Sequence, residues 1–356
     1  MNRLKKICTI VGARPQFIKC APVSREIRKD FHEILIHTGQ HYDKNMSDTF
    51  FQELAIPKPD FNLCIGSANH GEQTAKMLMA IETILINLKP DIVLIYGDTN
   101  STIAGALAAS KLHIQVAHVE AGLRSYNRKM PEEINRIVSD KLSKYLFVPT
   151  QTAVDNLAKE GQTDGVYNVG DVMFDSFLFN LSRTDKGEVL SKFQLKSKEF
   201  ILATVHRPQN TDDPGILKAL ISALENLDEL IIFPIHPRTR KLMRNFNITV
   251  KSKKLQLLEP VSYQEMIVLE KHAQVIITDS GGVQKEAYFA GVSCIVLRGE
   301  TEWVELVENG WAKLIGSDFR RIATEIGNFG NFNTNKNNLF GDGNAARKIS
   351  DKLRNL

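Results

Sequence analysis

Short runs of valine, isoleucine and leucine recur along this chain, and segments with helical character separate them. Five runs lie in the first half and five in the second: KICTIVG, EILIHTG, DIVLIYGD, IQVAHVEAG and YLFVPT, then FILATVHR, LIIFPIHP, LQLLEP, QVIITDSGG and CIVLRG. Continuous apolar strands that alternate with helices are typical of parallel sheets covered by helices on both faces. The two series therefore predict an α/β chain with two Rossmann-like, doubly wound domains.

The polar stretch SRTDKGEVLSKFQLKSKE separates the two series. A chain of 356 residues is also longer than the ~250–300 residues beyond which a single core rarely grows. We predict a first domain over residues 1–172 and a second over residues 173–343. The last helix, residues 344–356, suits packing on either domain and is assigned to the first.

Charge and composition narrow the class of ligand. Hydrophobic residues make up 43% of the chain and charged residues 24%, which is ordinary for a globular protein. The net charge of +4 is spread without a basic block or interleaved aromatic residues. This distribution argues against nucleic acid and membrane surfaces as partners, and it suits an anionic small molecule.

The expected location is the cytoplasm. The four cysteines form no CxxC pair, which is typical of a reducing compartment. The first apolar run, ICTIV, is too short for a signal peptide, and no stretch reaches the ~18 apolar residues of a membrane span. We therefore expect no membrane insertion.

Residues able to do chemistry collect where predicted strands end. They are Arg14, Gln40 with His41, Asp98, Glu120, His206, His236 and Asp279. In open α/β sheets, ligands bind outside the carboxyl ends of the strands. The pattern favours an enzyme whose two domains face a central cleft, a common place for ligands.

The turn TDSGGVQKEA joins a predicted strand to a predicted helix. Gly281 and Gly282 are expected to adopt backbone conformations closed to other residues and to let a ligand approach closely. The N–H groups of the following helix would then bind a phosphate. The alternative is that Ser280 only caps the helix and the glycines only make the turn.

Three segments of the first half carry further candidates. VGARPQFIK places Arg14 and Lys19 at a helix start, where two cations suit a diphosphate or are simply solvated. YGDTN ends a strand with Asp98, which either takes part in chemistry or caps the next helix. HVEAGLRS places Glu120 after a strand that needs no charge there, with His118 and Arg124 close in sequence.

Two more segments have both a structural and a functional interpretation. In MPEEINR, Glu132 and Glu133 suit the dipole of a helix start, and Arg136 is spaced to pair with Asp140 on the same helix. In TVHRPQN, His206 lies at a strand end beside an arginine, where it suits phosphate binding or proton transfer.

Several standard motifs are absent from the sequence. It has no HExxH, paired-cysteine or EF-hand spacing, so no metal is expected. It also lacks the GxGxxG of dinucleotide-binding domains and the GxxxxGK[ST] of P-loops. A nucleotide would therefore bind by neither of these routes.

Taken together, the motifs resemble the non-hydrolysing UDP-N-acetylglucosamine 2-epimerases. The matching segments, in order, are GARPQFIKCAPV, TGQHYDKNM, YGDTNST, HVEAGLRS, MPEEINR, TVHRPQN, IHP, TDSGGVQKEA and TEWVE. The resemblance runs from about residue 6 to residue 310, and the ordered combination is specific. It implies a fold like that of the B-type glycosyltransferases, with UDP held mainly by the second domain.

The resemblance also implies roles for individual residues. The diphosphate would contact Ser280, Gly281 and Gly282, and Glu286 would hold the ribose hydroxyls. Arg14 and His206 would complete the UDP site. The reaction centre would comprise Lys19, Asp98, Glu120, Glu132 and Arg136.

The chemistry implied by the resemblance is inversion at C2 without a redox cofactor. A base removes the C2 proton while UDP leaves from C1, which gives a 2-acetamidoglucal. Protonation on the other face and return of UDP complete the epimerisation. The sequence does not assign base and acid among Asp98, Glu120 and Glu132. The family also implies a homodimer and a place in polysaccharide precursor synthesis.

Departures from the family pattern leave the substrate open. Ala13 and Gln16 replace threonine and glutamate of the common first motif. Together with TEWVE, they look more like the branch that contains UDP-2,3-diacetamido-2,3-dideoxyglucuronate 2-epimerases. Tyr42 and Asp43 stand where several relatives contact a second, activating substrate molecule, so we expect weak or absent substrate activation.

Three other functions use similar residues. A UDP-sugar glycosyltransferase would need an acceptor, and a nucleotide-sugar sensor would bind without turnover. The presence of Lys19 and all three carboxylates argues for proton chemistry over either function. A hydrolysing epimerase, which releases free N-acetylmannosamine, shares much of this apparatus and is poorly separated by sequence.

Overall fold

Ten of the strands form where the sequence has its apolar runs, because β-branched and aliphatic side chains pack well on a sheet buried on both faces. A computed structural model describes residues 4–40, 51, 53–328 and 338–355 of the chain. The described residues fall into two units, the first formed by residues up to 178 together with those from 338 onward, and the second by those from 179. The predicted domain limits differ from these by six residues at each junction.

The first unit has a parallel seven-stranded sheet in the order β3-β2-β1-β4-β5-β6-β7. Its strands are β1 (Lys6–Val11), β2 (His32–His37), β3 (Phe61–Asn62), β4 (Ile92–Tyr96), β5 (Gln115–Val119), β6 (Tyr145–Val148) and β7 (Val166–Asn168). The strand order reverses between β1 and β4, which makes their carboxyl ends the expected position for a ligand.

Helices cover this sheet. They are α1 (Arg14–Ile27), α2 (His70–Leu88), α3 (Asn100–Lys111), α4 (Pro131–Leu142), α5 (Gln151–Lys159) and α6 (Val172–Arg183), with α15 (Ala345–Arg354) at the end of the chain. The small residues of α3 let it approach the sheet closely, since a side chain on Gly105 would lie 2.8 Å from Ile10. The helix α15 packs on α1, and its first N–H groups, from Ala345 and Ala346, donate to Asp175.

The second unit has a parallel six-stranded sheet in the order β10-β9-β8-β11-β12-β13. Its strands are β8 (Phe200–Thr204), β9 (Leu230–Pro234), β10 (Leu255–Leu258), β11 (Val275–Thr278), β12 (Cys294–Val296) and β13 (Ala312–Leu314). Its helices are α7 (Lys186–Lys192), α8 (Pro208–Thr211), α9 (Pro214–Glu225), α10 (Pro237–Asn245), α11 (Tyr263–His272), α12 (Gly281–Ala290), α13 (Val304–Glu308) and α14 (Arg321–Asn328). Here the strand order reverses between β8 and β11.

The prediction of two doubly wound α/β domains is confirmed. Within the part of the chain that the structure describes, no helix has both the length and the apolar character needed to cross a membrane.

Candidate active site

Gln16 joins the turn after β1 to the turn after β4, at the point where the strand order of the first unit reverses (the reversal point). The Oε1 atom of Gln16 accepts hydrogen bonds from the N–H groups of Gly12 (2.8 Å) and Ala13 (3.1 Å) after β1. Its Nε2 atom donates to the carbonyl of Tyr96 (2.9 Å), the last residue of β4, and to Thr102 (3.1 Å). Sequence reasoning noted Gln16 only as a departure from the family pattern, because its partners are distant in sequence.

Lys19 and Glu120 form a buried ion pair beside this point. Each residue is 7% exposed, and the Lys19 ammonium donates directly to the Glu120 carboxylate. Glu120 has a left-handed backbone (φ +68°), a conformation that costs about 1–3 kcal/mol and is concentrated at functional sites. The structure therefore brings together two residues predicted to lie at the reaction centre.

Gly97, directly after β4, leaves the space that this ion pair occupies. Its φ is +59°, and a Cβ atom there would lie 3.1 Å from Lys19 Nζ and 3.2 Å from Glu120 Oε2. Both the backbone conformation and the close approach favour glycine.

Asp98 and Arg136 form a second ion pair, with 2.7 Å between Asp98 Oδ2 and Arg136 Nη1. Arg136 also donates to Glu133 at 2.7 Å. The predicted helix-face pair between Arg136 and Asp140 is wrong, because Asp140 pairs instead with His118 and Arg124. Contacts from other elements override the helical spacing on which that prediction rested.

Electrostatic interactions join the predicted reaction-centre residues around Asp98. Its side chain is 29% exposed, yet surrounding protein desolvates the carboxyl group and raises its pKa. The charges of Arg136 and Lys19 oppose this rise in pKa, and those of Glu120 and Glu132 add to it. Four predicted reaction-centre groups therefore act electrostatically on Asp98.

The two adjacent glutamates of α4 differ in role. Glu132 is exposed, whereas Glu133 is buried and accepts the N–H groups of Ser125 and Tyr126, each at 2.9 Å. Burial favours a higher pKa for Glu133, but hydrogen bonds from Ser125 and Arg136 outweigh it and lower the pKa. Glu133 thus remains charged and holds Arg136 in place.

The sequence did not predict the buried hydrogen-bond network that His118, Asp140 and Arg124 form. His118 on β5 contacts Asp140 at 2.8 Å through Nδ1 and the Gly97 carbonyl at 2.7 Å through Nε2. Asp140 also accepts from Arg124 at 2.7 Å. Burial favours a higher pKa for Asp140, but His118 and Arg124 outweigh it and lower the pKa. The only sequence signal was a histidine inside an apolar strand.

Two other predicted positions lie near the same reversal point. Arg14 is the exposed first residue of α1. Gln40 accepts from the N–H (3.2 Å) and hydroxyl (2.7 Å) groups of Ser101. His41, and the residues Tyr42 and Asp43 on which the prediction about substrate activation rests, lie outside the described residues.

In the second unit, Asp279 holds the turn that carries His206. Its buried carboxylate accepts the N–H groups of His206 (3.1 Å) and Arg207 (3.0 Å) and the side-chain amide of Asn210 (3.0 Å). The His206 ring lies 5.7 Å from the His236 ring between centroids. Asp279 therefore supports His206 across the reversal point between β8 and β11.

Ser280 caps the helix α12 that follows this turn. Ser280 accepts from the N–H of Val283 at 3.5 Å, and Gly281 and Gly282 are the first two residues of α12. The prediction that these glycines adopt an unusual backbone conformation is wrong, since both are helical and neither has a positive φ. A Cβ on Gly281 would lie 3.7 Å from Trp303 Nε1, so the glycine keeps space open.

The TEWVE segment packs against this turn, which the sequence alone did not indicate. Glu302 accepts two hydrogen bonds from Arg298, at 3.0 and 3.1 Å. The buried Lys285 ammonium lies 4.2 Å from the centroid of the Trp303 ring, a cation–π contact. Glu286, one turn along α12, is 5% exposed.

Each unit thus carries polar groups at its reversal point, where α/β enzymes bind nucleotides and phosphorylated compounds. Comparison with known proteins identifies the family. A profile of the UDP-N-acetylglucosamine 2-epimerase family matches residues 25–354. The chain belongs to this family, and the resemblance, the fold class and the assignment as an isomerase are confirmed.

Individual relatives match nearly the whole chain. A UDP-N-acetylglucosamine 2-epimerase homolog from Methanococcus maripaludis is 56% identical and covers 99% of this chain and 100% of the relative. The UDP-2,3-diacetamido-2,3-dideoxy-D-glucuronate 2-epimerase of Pseudomonas aeruginosa is 47% identical with the same coverage. The crystal structure of Methanocaldococcus jannaschii UDP-GlcNAc 2-epimerase with UDP-GlcNAc and UDP has a TM-score of 0.90 at 43% identity, and the match covers 99% of this chain and 100% of that one.

Proposed function

We propose that this chain interconverts UDP-N-acetylglucosamine and UDP-N-acetylmannosamine by inverting C2 of the sugar. The observation that carries the proposal is the Asp98 cluster, in which three carboxylates and two cations interact within one unit. Family membership supports the reaction class, and the M. jannaschii relative was crystallised with UDP-GlcNAc and UDP.

The nucleotide is assigned to the second unit's α12 turn. Helix N-terminal N–H groups attract phosphate, which supports the assignment of Ser280, Gly281 and Gly282 to the diphosphate. Glu286 is assigned to the ribose hydroxyls. Arg14 and His206 are assigned to UDP as part of the same proposal.

In the proposed reaction, a carboxylate takes the C2 proton and the C–H electrons form the C1–C2 double bond. The C1–O bond breaks, and UDP leaves with that electron pair. A second group then delivers a proton to the opposite face of C2, and the UDP oxygen bonds to C1 again. One proton is removed and one is added in each direction, and the sugar is neither oxidised nor reduced overall, so no redox cofactor is needed.

The electrostatic environment supports division of these roles. Lys19 donates directly to Glu120, whereas desolvation raises the pKa of Asp98. Carboxylates in unlike environments differ in proton affinity, as general acid–base chemistry requires. Glu132 and Arg136 are also assigned to the reaction centre in this proposal.

The test is incubation with UDP-N-acetylglucosamine in heavy water, followed by proton NMR. Loss of the C2 proton signal together with a new UDP-N-acetylmannosamine anomeric signal is expected. Asp98→Asn keeps a side-chain oxygen for Arg136 but cannot take a proton, so it should lose the exchange. Free N-acetylmannosamine would indicate hydrolysis instead, and no exchange at all would contradict the proposal.

A second candidate substrate is UDP-2,3-diacetamido-2,3-dideoxyglucuronate, with the same chemistry at C2. The P. aeruginosa relative at 47% identity supports it. Parallel assays at equal concentrations would decide between the sugars, because the true substrate should give the larger kcat/KM.

We further infer a cytoplasmic homodimer that supplies polysaccharide precursors. The exposed apolar side chains of Met79 (66%) and Ile86 (52%) on α2 support a subunit contact. Light scattering coupled to size exclusion tests the dimer, and a monomer at micromolar concentration would contradict it.

A further inference from the structure

Two acidic side chains are buried next to each other in the second unit. Glu270 on α11 is 0% exposed, and Glu286 on α12 is 5% exposed. The helices pack together, and the two carboxyl groups lie within hydrogen-bonding reach. Apart from this contact with Glu286, the described residues offer no hydrogen-bond partner to either oxygen of Glu270.

A shared proton explains how such a pair is tolerated. Two ionised carboxylates in one buried place would each lack water and repel the other. Burial, and then the charge of Glu286, raise the pKa of Glu270 well above its ordinary value. The buried pair is therefore stabilised when it holds one proton, and a protonated Glu270 can donate a hydrogen bond to Glu286.

A third neighbour, Cys294, supplies no charge to Glu270. Cys294 on β12 is buried, and burial followed by the charge of Glu270 raises the pKa of its thiol. The thiol thus stays neutral and cannot neutralise a carboxylate. Among the interactions of Glu270 that the structure describes, only the contact with Glu286 can offset the cost of burying its carboxyl group.

We propose that Glu270 is a positioning residue, whose protonated carboxyl group donates to Glu286 and fixes the carboxylate face that Glu286 presents to the ribose hydroxyls. This inference rests on the proposed function, in which Glu286 is assigned to the ribose. An ionised carboxylate has about four lone-pair sites, so one can accept from Glu270 while others accept from hydroxyl groups. A neutral donor orients Glu286 and leaves its negative charge intact.

The test compares the affinities of UDP and 2′-deoxy-UDP, measured by calorimetry. Glu270→Met keeps the approximate volume but removes the donor, whereas Glu270→Gln keeps a neutral donor. We expect Glu270→Met to weaken UDP binding about tenfold or more, and to leave 2′-deoxy-UDP binding nearly unchanged. Glu270→Gln should restore the preference for UDP.

Glu325→Gln is the matched control, because Glu325 is also a buried helical glutamate but pairs with Arg321 on its own helix. It should change neither affinity. A merely structural role for Glu270 predicts that Glu270→Met weakens both nucleotides equally. That result, or failure of Glu270→Gln to restore the preference, would overturn the proposal.

Infrared spectroscopy keeps the proposal testable if Glu270→Met fails to fold. Other carboxyl groups, such as Asp98, also have a raised pKa, so the informative spectrum is the difference between wild type and Glu270→Gln. At neutral pH the wild type should show a protonated-carboxyl band that the variant lacks. Absence of that band from the difference spectrum would contradict the inference.

Failure of the inference and failure of the proposed function give different results. Nucleotide binding is measured without turnover, so a wild-type protein that prefers UDP to 2′-deoxy-UDP but exchanges no C2 proton leaves the inference intact. A wild type that epimerises but binds both nucleotides equally refutes the inference and the assignment of Glu286 to the ribose, and leaves the proposed reaction intact.

Discussion

Gly97→Ala is the sharpest test of where the reaction centre lies. The substitution does two things. A left-handed backbone at φ +59° strains alanine by about 1–2 kcal/mol, and the new methyl group lies 3.1 Å from Lys19 Nζ and 3.2 Å from Glu120 Oε2. Ordinary contacts of a Cβ atom begin near 3.4 Å, so the ion pair must shift by a few tenths of an ångström.

The size of the activity loss follows from that shift. A misplacement of about 1 Å costs roughly a hundredfold in rate, so a few tenths of an ångström should reduce kcat about three- to tenfold. Gly161→Ala is the matched control, because Gly161 also has a positive φ (+73°) but no atom lies within 4 Å of its added Cβ. It should show the stability loss without the activity loss.

The assay is the initial rate of deuterium exchange at C2, combined with urea unfolding of both variants. Both variants should lose about 1–2 kcal/mol of stability from the shared backbone strain. If Gly97→Ala keeps the kcat of Gly161→Ala, the reasoning that places Lys19 and Glu120 at the reacting carbon is refuted.

Four further substitutions test individual charges. Glu132→Gln should abolish exchange with little change in Tm, because the side chain is exposed. Glu133→Gln should lower Tm, because it removes the charge of a buried, hydrogen-bonded carboxylate. Equal losses of Tm in the two variants would contradict this difference. Asp140→Asn should cost about 3–5 kcal/mol at pH 7 because it removes a carboxylate from the buried Arg124 guanidinium. Because the pKa of Asp140 is lowered in the folded state, that stabilisation is present above its ordinary pKa and should shrink as pH falls through the folded value, as acid titration of unfolding would show. Burial raises the pKa of Asp175 to about 6, so its effect has the opposite sign: stability should fall as pH rises toward 6, and Asp175→Asn should remove this slope from the stability–pH curve.

The sequence predicted the sheets well where strands are long enough to show a pattern. The strands that it did not predict are β3, β7 and β13, which have two, three and three residues. β12 is equally short but wholly apolar, whereas these three segments include polar residues, so only pairing with a neighbouring strand defines them. Their positions depend on contacts distant in sequence.

The positions of candidate site residues were predictable where those residues directly follow a strand. Asp98 and Glu120 both follow strands, and the parallel sheet brings them to one edge. The sequence could not distinguish Glu132 from Glu133, because both suit the first turn of a helix. Only packing of α4 shows that one is exposed and the other is buried beneath Arg136.

Both units use a buried polar side chain to join the two turns at the point where strand order reverses. Gln16 connects the turn after β1 to the end of β4, and Asp279, after β11, holds the turn after β8 that carries His206. Apolar packing keeps two turns in contact but sets their relative orientation poorly, whereas these hydrogen bonds fix both the distance and the orientation of the turns. Replacing either residue should therefore alter function through the turns, even though neither residue is assigned to the substrate.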